Sequence, residues 1–461
     1  MANTVRVSFH GAAGTVTGSK YLVEYEDKKI LIDCGIFQGR KELRLRNWDK
    51  PSFNPKELDC IILTHAHIDH SGYLPLVCKK GFKGPIYCSE PTKDLLHLLL
   101  PDSAHLQEQE AYYANKHKTS KHKPAKPLFD LDDAYSALLK LKTFKRDENV
   151  EVLPKIYIKS VCAGHILGSL CFNLELGGKV ITFSGDLGRY DSPLLPDPKG
   201  LDLGDLLLIE STYGSREHKD SNIRDKITKI IKSAVTNDGA VIIPSFAIGR
   251  TQSLLYEIAE LERKGDIPIL PVYIDSPMAV DATGIYKKYK HDFDSDTKKI
   301  INSGEHPLRT ERTQMCHSVG QSKGLNNEKG ARIIISASGM VTGGRILHHM
   351  KNQLPDEKNI VLFVGYQGRG TRGQIIQSGA EKVKIYGKHV PIRARVETIS
   401  GLSAHGDKSE MTRWIDSCNG NPNLVKVVHG EPNSSKSFSN YLEERYKWKS
   451  SPAEHLEKIE I

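Results

Sequence analysis

Apolar positions in the first third of the chain fall into short runs between Gly and Asp turns: TVRVSF, KYLVEY and KKILIDCG, then ELDCIILTH and PIYCS. Runs that alternate or stay apolar over so few residues predict strands, here a sheet built from the N-terminus. From Pro91 to about Lys116 the spacing turns helical, with Leu95, Leu96, Leu98, Leu99 and Leu100 ahead of a Glu/Gln-rich stretch. The segment KHKTSKHKPAKP, residues 116–127, carries five lysines and no apolar period, which predicts a solvated loop. A helix is expected from about Asp132.

Strands return at KIYIKSV, CFNLEL and KVITFSGD, and the cluster SPLLPDPKGLDLGD marks a domain crossing before LLLIESTYG. Beyond it the rhythm changes. GAVIIPSF runs into GRTQSLLYEIAELERKG, and PVYID, ARIIISAS and NIVLFVGYQ follow, so strand alternates with helix as in a doubly wound parallel sheet. This predicts a second α/β domain over 206–374, with KVKIYG, IRARVETIS and KVVHG as strands after it and a helix at DKSEMTRWIDSC.

The chain has 461 residues, 38% apolar and 26% charged, enough for a full core in two or three domains and unlike a disordered or fibrous chain. Lys and Arg exceed Asp and Glu by 65 to 56, a net +9 that favours polyanionic partners. The N-terminus, MANTVRVSFHGAAG, lacks a signal-type apolar run, and no apolar stretch reaches about 18 residues, so no membrane partner is expected. The eight cysteines are scattered without a Cys-x-x-Cys pair and sit in apolar runs, which reads as reduced core residues of a soluble, cytoplasmic protein.

The candidate chemistry begins at His65-Ala-His67-Ile-Asp69-His70, directly after the strand IILT. Spacing by two lets His65 and His67 point the same way from an extended segment, and the next turn delivers Asp69 and His70. Chance would place His-x-His-x-acid-His in a chain of this composition about four times in a thousand. Imidazole plus carboxylate suits zinc first, with iron or manganese as lesser options. Farther along, His165 in AGHILGS, Asp186 in ITFSGD and His429 in LVKVVHGE end strands and are candidate ligands. Each alone is more often a turn or capping residue.

LIDCG at 31–35, THAHIDHSG at 64–72, GHILGS at 164–169 and FSGDLG at 183–188 resemble, in order, the motifs of the metallo-β-lactamase superfamily. IESTYG, SGLSAHGD and VVHGE resemble those of its β-CASP branch, the nucleic-acid-processing nucleases, most of all the short bacterial and archaeal RNA-degrading members and the endonuclease that cuts messenger-RNA precursors before polyadenylation. The resemblance implies a four-layer αββα metallo-β-lactamase sandwich, residues 1–205 and 375–461, with an inserted doubly wound α/β β-CASP domain over 206–374 and the active site in the crevice between them. It implies two Zn2+ per chain: one held by His65, His67 and His165, the second by Asp69, His70 and His429, with Asp186 bridging. Asp33 in LIDCG would orient the His/Asp loop from behind.

Two ions about 3.5–4 Å apart suit phosphodiester hydrolysis, because they acidify water and stabilise charge at phosphorus, leaving the departing 3′ oxygen in need of a proton. The resemblance assigns that proton to His405 in SAHGD, kept charged and oriented by Glu210 in IESTYG, so His405, Glu210 and Asp69 are the expected catalytic residues. Branch members acting on DNA typically lack the histidine corresponding to His429, so VVHGE points to single-stranded RNA. PSFAIGRTQSLL and SASGMVTGGR could present backbone N–H groups and the side chains of Arg250, Ser338 and Arg345 to phosphates. GAAGTVTGS, 11–19, would shape the surroundings of the metal loop. No added RNA-binding module is visible, so grip on the substrate must come from the cleft or from a homodimer. The expected activity is zinc-dependent hydrolysis of RNA to 5′-phosphate and 3′-hydroxyl ends, endonucleolytic because the C-terminal extension of the 5′-exonucleolytic relatives is missing. The competing readings are a 5′–3′ exoribonuclease, a thioesterase or lactonase, and a non-catalytic RNA-binding scaffold.

Overall fold

The apolar runs near the N-terminus pair as one sheet. In a computed structural model, which describes residues 4–218, 222–365, 367–368, 370–399 and 401–461, its strand order is Lys458–Glu460, Val5–Phe9, Tyr21–Tyr25, Lys28–Ile32, Cys60–Ile62, Ile86–Ser89 and Leu141–Phe144. The last four strands run parallel. Tyr366 of NIVLFVGYQ and Ser400 of SGLSAHGD lie outside the described residues.

A second sheet is ordered Ser450–Pro452, Leu424–Val428, Leu206–Glu210, Lys179–Phe183, Leu170–Leu176, Ile156–Cys162 and Asn149–Leu153. Val7, Phe9, Val23, Ile32 and Ile62 of the first sheet share one core with Phe172, Leu174, Ile181, Phe183 and Leu208 of the second. Each such side chain contributes about 1.5–3 kcal/mol when fully buried. Outside the second sheet, Met411, Trp414, Phe438 and Leu442 of helices Lys408–Asp416 and Pro432–Tyr446 cover Leu207, Ile209, Val425 and Val427. Helix Glu90–Lys116 packs on strands Ile86–Ser89 and Leu141–Phe144 through its buried leucines, with helix Leu131–Leu138 beside it. These are the four layers of an αββα sandwich. The first compact unit comprises Met1–Tyr190, Asp197–Glu217 and His405–Ile461.

The second unit comprises Asp191–Pro196 and His218–Ala404. Its sheet is wholly parallel, ordered Thr313–Met315, Val272–Ile274, Arg332–Ser336, Ala240–Pro244, Ile360–Phe363 and Arg395–Thr398, with helices in the connections. Lys382–Ile385 and Lys388–Pro391 form a separate hairpin.

The boundaries read from sequence at 205/206 and 374/375 shift to 217/218 and 404/405 in the division into compact units. Leu206–Glu210 pairs with Lys179–Phe183 and Leu424–Val428, and Arg395–Thr398 pairs with Ile360–Phe363. An apolar parallel strand carries the same local signature in either sheet, and only its long-range partner assigns it. Six cysteines are buried and none of the eight forms a disulfide. Among the described residues no helix is long and apolar enough to cross a membrane.

Candidate metal centre

Lys179–Phe183, Leu206–Glu210 and Leu424–Val428 are adjacent parallel strands, so their C-terminal ends share one edge of the second sheet. That edge carries Asp186, Glu210 and His429. In the first sheet Lys28–Ile32 and Cys60–Ile62 are likewise parallel, and their C-terminal ends lead to Asp33 and to the His65 loop. Strand ends in such sheets are where side chains can leave the hydrogen-bonded ladder and converge.

His65, His67, His165 and Asp186 each offer a ligand atom within 4.8 Å of the others, and so do Asp69, His70 and His429. Around the first group, His67 Nδ1 lies 3.0 Å from His65 Nε2 and 3.1 Å from His165 Nε2, while Asp186 Oδ2 lies 3.5 Å from His65 Nε2 and 3.6 Å from His165 Nε2. Four ligands at about 2.0–2.1 Å from a tetrahedral ion stand roughly 3.3 Å apart, which these separations bracket. Asp186 Oδ1 turns the other way, 3.3 Å from His70 Nε2 and 3.6 Å from His429 Nδ1. His429 Nε2 faces Asp69 Oδ2 at 3.5 Å. Asp186 Oδ1 and His429 Nε2 are buried and, among the described residues, have no hydrogen-bond partner. Two orphaned polar atoms in one buried cluster of imidazoles and carboxylates fit a site built for cations.

Charge in the cluster agrees with that fit. Burial, with repulsion from His70, holds His65 well below the usual imidazole range, and burial pushes His67 down to about 4. Neutral imidazoles are the form that binds metal. Burial opposes ionisation of Asp186, but the surrounding His429, His70, His65 and His405 hold its carboxyl well below the usual range. Burial also opposes charge on His70, yet Asp186 and Asp33 raise it well above its ordinary value, so the position favours a cation.

Asp33 stands behind the loop, at a backbone φ of 56°. Its Oδ2 is 2.7 Å from His70 Nδ1, and its Oδ1 accepts from the Thr64 amide at 2.8 Å. The Thr64 hydroxyl donates to Asp33 Oδ2 at 2.9 Å and touches His65 Nδ1 at 3.0 Å. Thr212 Oγ1 sits 3.1 Å from His429 Nδ1, and Ser19 Oγ 3.3 Å from His70 Nε2. The sequence reading missed these three hydroxyls; adjacency to THAHIDH, IESTYG and GAAGTVTGS was their one signal. The segment 11–19 does border the loop: the His429 amide donates to Ala12 O at 2.7 Å and the Ser19 amide to Asp69 O at 2.8 Å. Gly35 lets the chain pass, because a Cβ there would lie 1.6 Å from Asp69 O.

His405 lies two residues before Asp407, which caps helix Lys408–Asp416 in a capping box with Glu410. Its Nδ1 is 3.2 Å from Glu210 Oε1 and 3.9 Å from Asp186 Oδ2. Burial works against its charge, but Glu210 and Asp186 outweigh burial and bring its pKa up to about 9. Glu210 is fully buried, and its two oxygens accept from the Leu187 amide at 2.7 Å and the Thr212 amide at 3.2 Å. Glu210 also falls within 4.8 Å of Asp186 and His429 ligand atoms. With both oxygens committed to amides, it reads as the partner of His405 rather than as a ligand.

The three residues read as substrate contacts belong to the second unit. Arg345 Nη1 donates to Asp275 Oδ1 at 2.8 Å and Cys316 O at 2.9 Å, and Nη2 to His317 O at 2.6 Å, so it ties three segments together. Asp275 is buried and also meets His349 Nε2 at 2.6 Å and Ser322 Oγ at 2.5 Å. Arg250 Nη1 donates to Val364 O. Ser338 Oγ accepts from the Thr342 amide at 3.0 Å and folds its own loop.

Three family models match the chain in order: "Metallo-beta-lactamase superfamily" over 13–231, "Beta-Casp domain" over 251–376 and "Zn-dependent metallo-hydrolase RNA specificity domain" over 389–451. Ribonuclease TTHA0252 of Thermus thermophilus is 34% identical over 93% of each chain. An RNase J-like protein of Methanocaldococcus jannaschii is 32% identical over 94% of each, and transcription termination factor FttA of the same organism is 30% identical over 99% of this chain and 72% of its own. A crystal structure of a protein of unknown function from Enterococcus faecalis V583 shares the fold, at 14% identity and a TM-score of 0.55, over 99% of this chain and 100% of that one. With its ordered motifs, its αββα sandwich and relatives matched over nearly the whole length, the chain belongs to the β-CASP branch of the metallo-β-lactamase superfamily, among its RNA-processing nucleases.

Proposed function

We propose that this chain is a di-zinc endoribonuclease that hydrolyses single-stranded RNA to 5′-phosphate and 3′-hydroxyl ends in the cytoplasm. The observation that carries the proposal is the pairing, in one buried cluster, of two candidate ligand groups around Asp186 with His405 beside them, its Nδ1 3.2 Å from Glu210 Oε1. His65, His67 and His165 would hold one ion, Asp69, His70 and His429 the other, and Asp186 would serve both. When bound, the ions supply Lewis acidity, acidifying water and polarising a phosphoryl oxygen. Glu210, fixed by the Leu187 and Thr212 amides, keeps the His405 imidazolium oriented through Nδ1. His405 then gives its proton to the departing 3′ oxygen as general acid. Thr64, Thr212 and Asp33 hold three of the imidazoles in place. Cysteines outside any disulfide suit a reducing compartment. RNA as substrate is supported by His429 and by the relatives named as ribonucleases. The endonucleolytic mode rests on resemblance to the precursor-cleaving endonuclease.

The test is incubation of internally labelled circular and linear RNA, matched DNA and a thioester with the zinc-loaded protein, with and without chelator. Opening of the RNA circle, blocked by chelator, is the expected result. Thioester turnover with intact RNA would overturn the nuclease reading, and degradation of the linear RNA alone would replace the endonuclease by an exonuclease.

A further inference from the structure

Asn47 is buried and clamps Phe37, donating from Nδ2 to its carbonyl at 2.8 Å and accepting its amide at 2.9 Å. The next residue, Trp48, is 59% exposed, whereas Trp414 and Trp448 are buried. At the far end of the segment Ser52 Oγ meets His10 Nδ1 at 2.6 Å, Phe53 packs edge-on against the His10 ring, and Asn54 caps the turn Pro55–Glu57. A backbone pinned at both ends thus holds an indole in solvent. Singly exposed aromatics are common, but this one borders a groove of about 850 Å³ with Phe53 and Leu128 in its walls.

Its charged lining is mainly basic, three lysines against Asp49. Lys50, Lys79 and Lys80 face the groove; Lys79 is paired with Asp133 at 2.6 Å, while Lys50 and Lys80 have no side-chain partner among the described residues. Between Arg40 and Lys56 six basic residues stand against two acidic ones. Leu128 directly follows the loop 116–127 with its five lysines, and its amide is anchored to Gln107 Oε1 at 3.0 Å. An aromatic face among unpaired lysines is the combination that grips a single strand, one base on the ring and its phosphates on the ammonium groups. A docked protein helix would want a broader apolar surface than one indole supplies.

We infer that this groove is an accessory docking site for single-stranded RNA, distinct from the metal centre, with Trp48 as the stacking platform and Lys50, Lys80 and the 116–127 loop as phosphate contacts. The inference rests on the chain acting on single-stranded RNA. The groove is joined to the centre within the same unit: Phe37 follows Ile36, whose amide donates to Ile68 O at 3.0 Å, and the Cys34 amide donates to His70 O at 2.7 Å. A strand held at Trp48 therefore has a fixed position relative to the metal loop, and RNA long enough to span both sites gains affinity by linkage.

Two measurements test this. In a cleavage-deficient His405→Ala protein, oligouridylate of about 20 nucleotides should quench the exposed indole, and a further Trp48→Phe change should remove that quenching. In the active protein, Trp48→Ala should raise KM about five-fold or more for RNA of about 20 nucleotides and leave kcat and KM unchanged for RNA of about five, the short substrate doubling as a folding check. Lys50→Glu with Lys80→Glu should lower the slope of log KM against log salt by about 1.4 for the long RNA. Cleavage of RNA with Trp48 silent, and with KM unchanged by Trp48→Ala at both lengths, overturns the groove alone. Absence of any RNA cleavage by the unmodified protein overturns the ribonuclease reading and this inference with it.

Discussion

Asp33→Asn changes one atom group at a carboxylate that is 1% exposed and touches no proposed substrate contact. The carboxylate accepts from the Thr64 amide and hydroxyl on one side and from His70 Nδ1–H on the other. An amide keeps the volume but turns one acceptor into a donor. If the remaining oxygen stays with Thr64, the new NH2 faces His70 Nδ1, and the ring can accept from it only by moving its proton to Nε2, the nitrogen 3.3 Å from Asp186. That nitrogen is then lost as a ligand. A hydrogen bond to a charged group contributes about 1.5–3 kcal/mol, so affinity at the site of Asp69, His70 and His429 should fall roughly 10- to 150-fold. Removing such outer partners typically costs a metal site about 10–100-fold. The assay is competition against a chromophoric zinc chelator, with urea midpoints of both proteins to separate binding from unfolding. Zinc affinity within two-fold of the unmodified protein, with a normal midpoint, would refute Asp33 as the group that orients His70.

His405→Ala should keep its full metal content by elemental analysis and lose about 10²–10⁴-fold in cleavage rate; loss of metal instead would make His405 a ligand. Gly35→Ala drives a methyl to 1.6 Å from Asp69 O, so the metal loop must move, lowering stability by about 1–3 kcal/mol in urea titration and metal content with it. Burial, aided by the positive charges of Lys20, His455 and Lys458, pushes His10 down to about 4. As pH falls from 6.5 to 4 the unfolded chain takes up a proton that the native ring refuses, so stability should drop by about 3 kcal/mol over that window. Urea midpoints at pH 7 and pH 5 should converge between the unmodified protein and His10→Asn; parallel lines would show that His10 does not titrate this way.

The His/Asp loop was legible because its members are neighbours: alternation along an extended segment and the following turn put His65, His67, Asp69 and His70 in one place by local geometry. The ends of strands were legible as well, since apolar runs stop where His165, Asp186, Glu210 and His429 begin. Which sheet a strand joined was not. Leu206–Glu210 finds its partner more than two hundred residues on, in Leu424–Val428, and nothing local distinguishes it from Ala240–Pro244 in the other sheet.

Hydroxyl partners escaped for a related reason. Thr64, Thr212 and Ser19 act by orienting imidazoles that come from elsewhere, and a lone Ser or Thr has no pattern. Arg345 is read as a phosphate contact because it follows two glycines, and nothing local announces the convergence of Asp275, Cys316 and His317 on its guanidinium. By itself, then, the chain's order of residues determined most of the elements, the chemistry of the candidate ligand set and the family. Pairing, second partners and exposure were decided by the tertiary structure, because a hydrogen bond or a stripped hydration shell depends on distances between residues that the backbone brings together only after it folds.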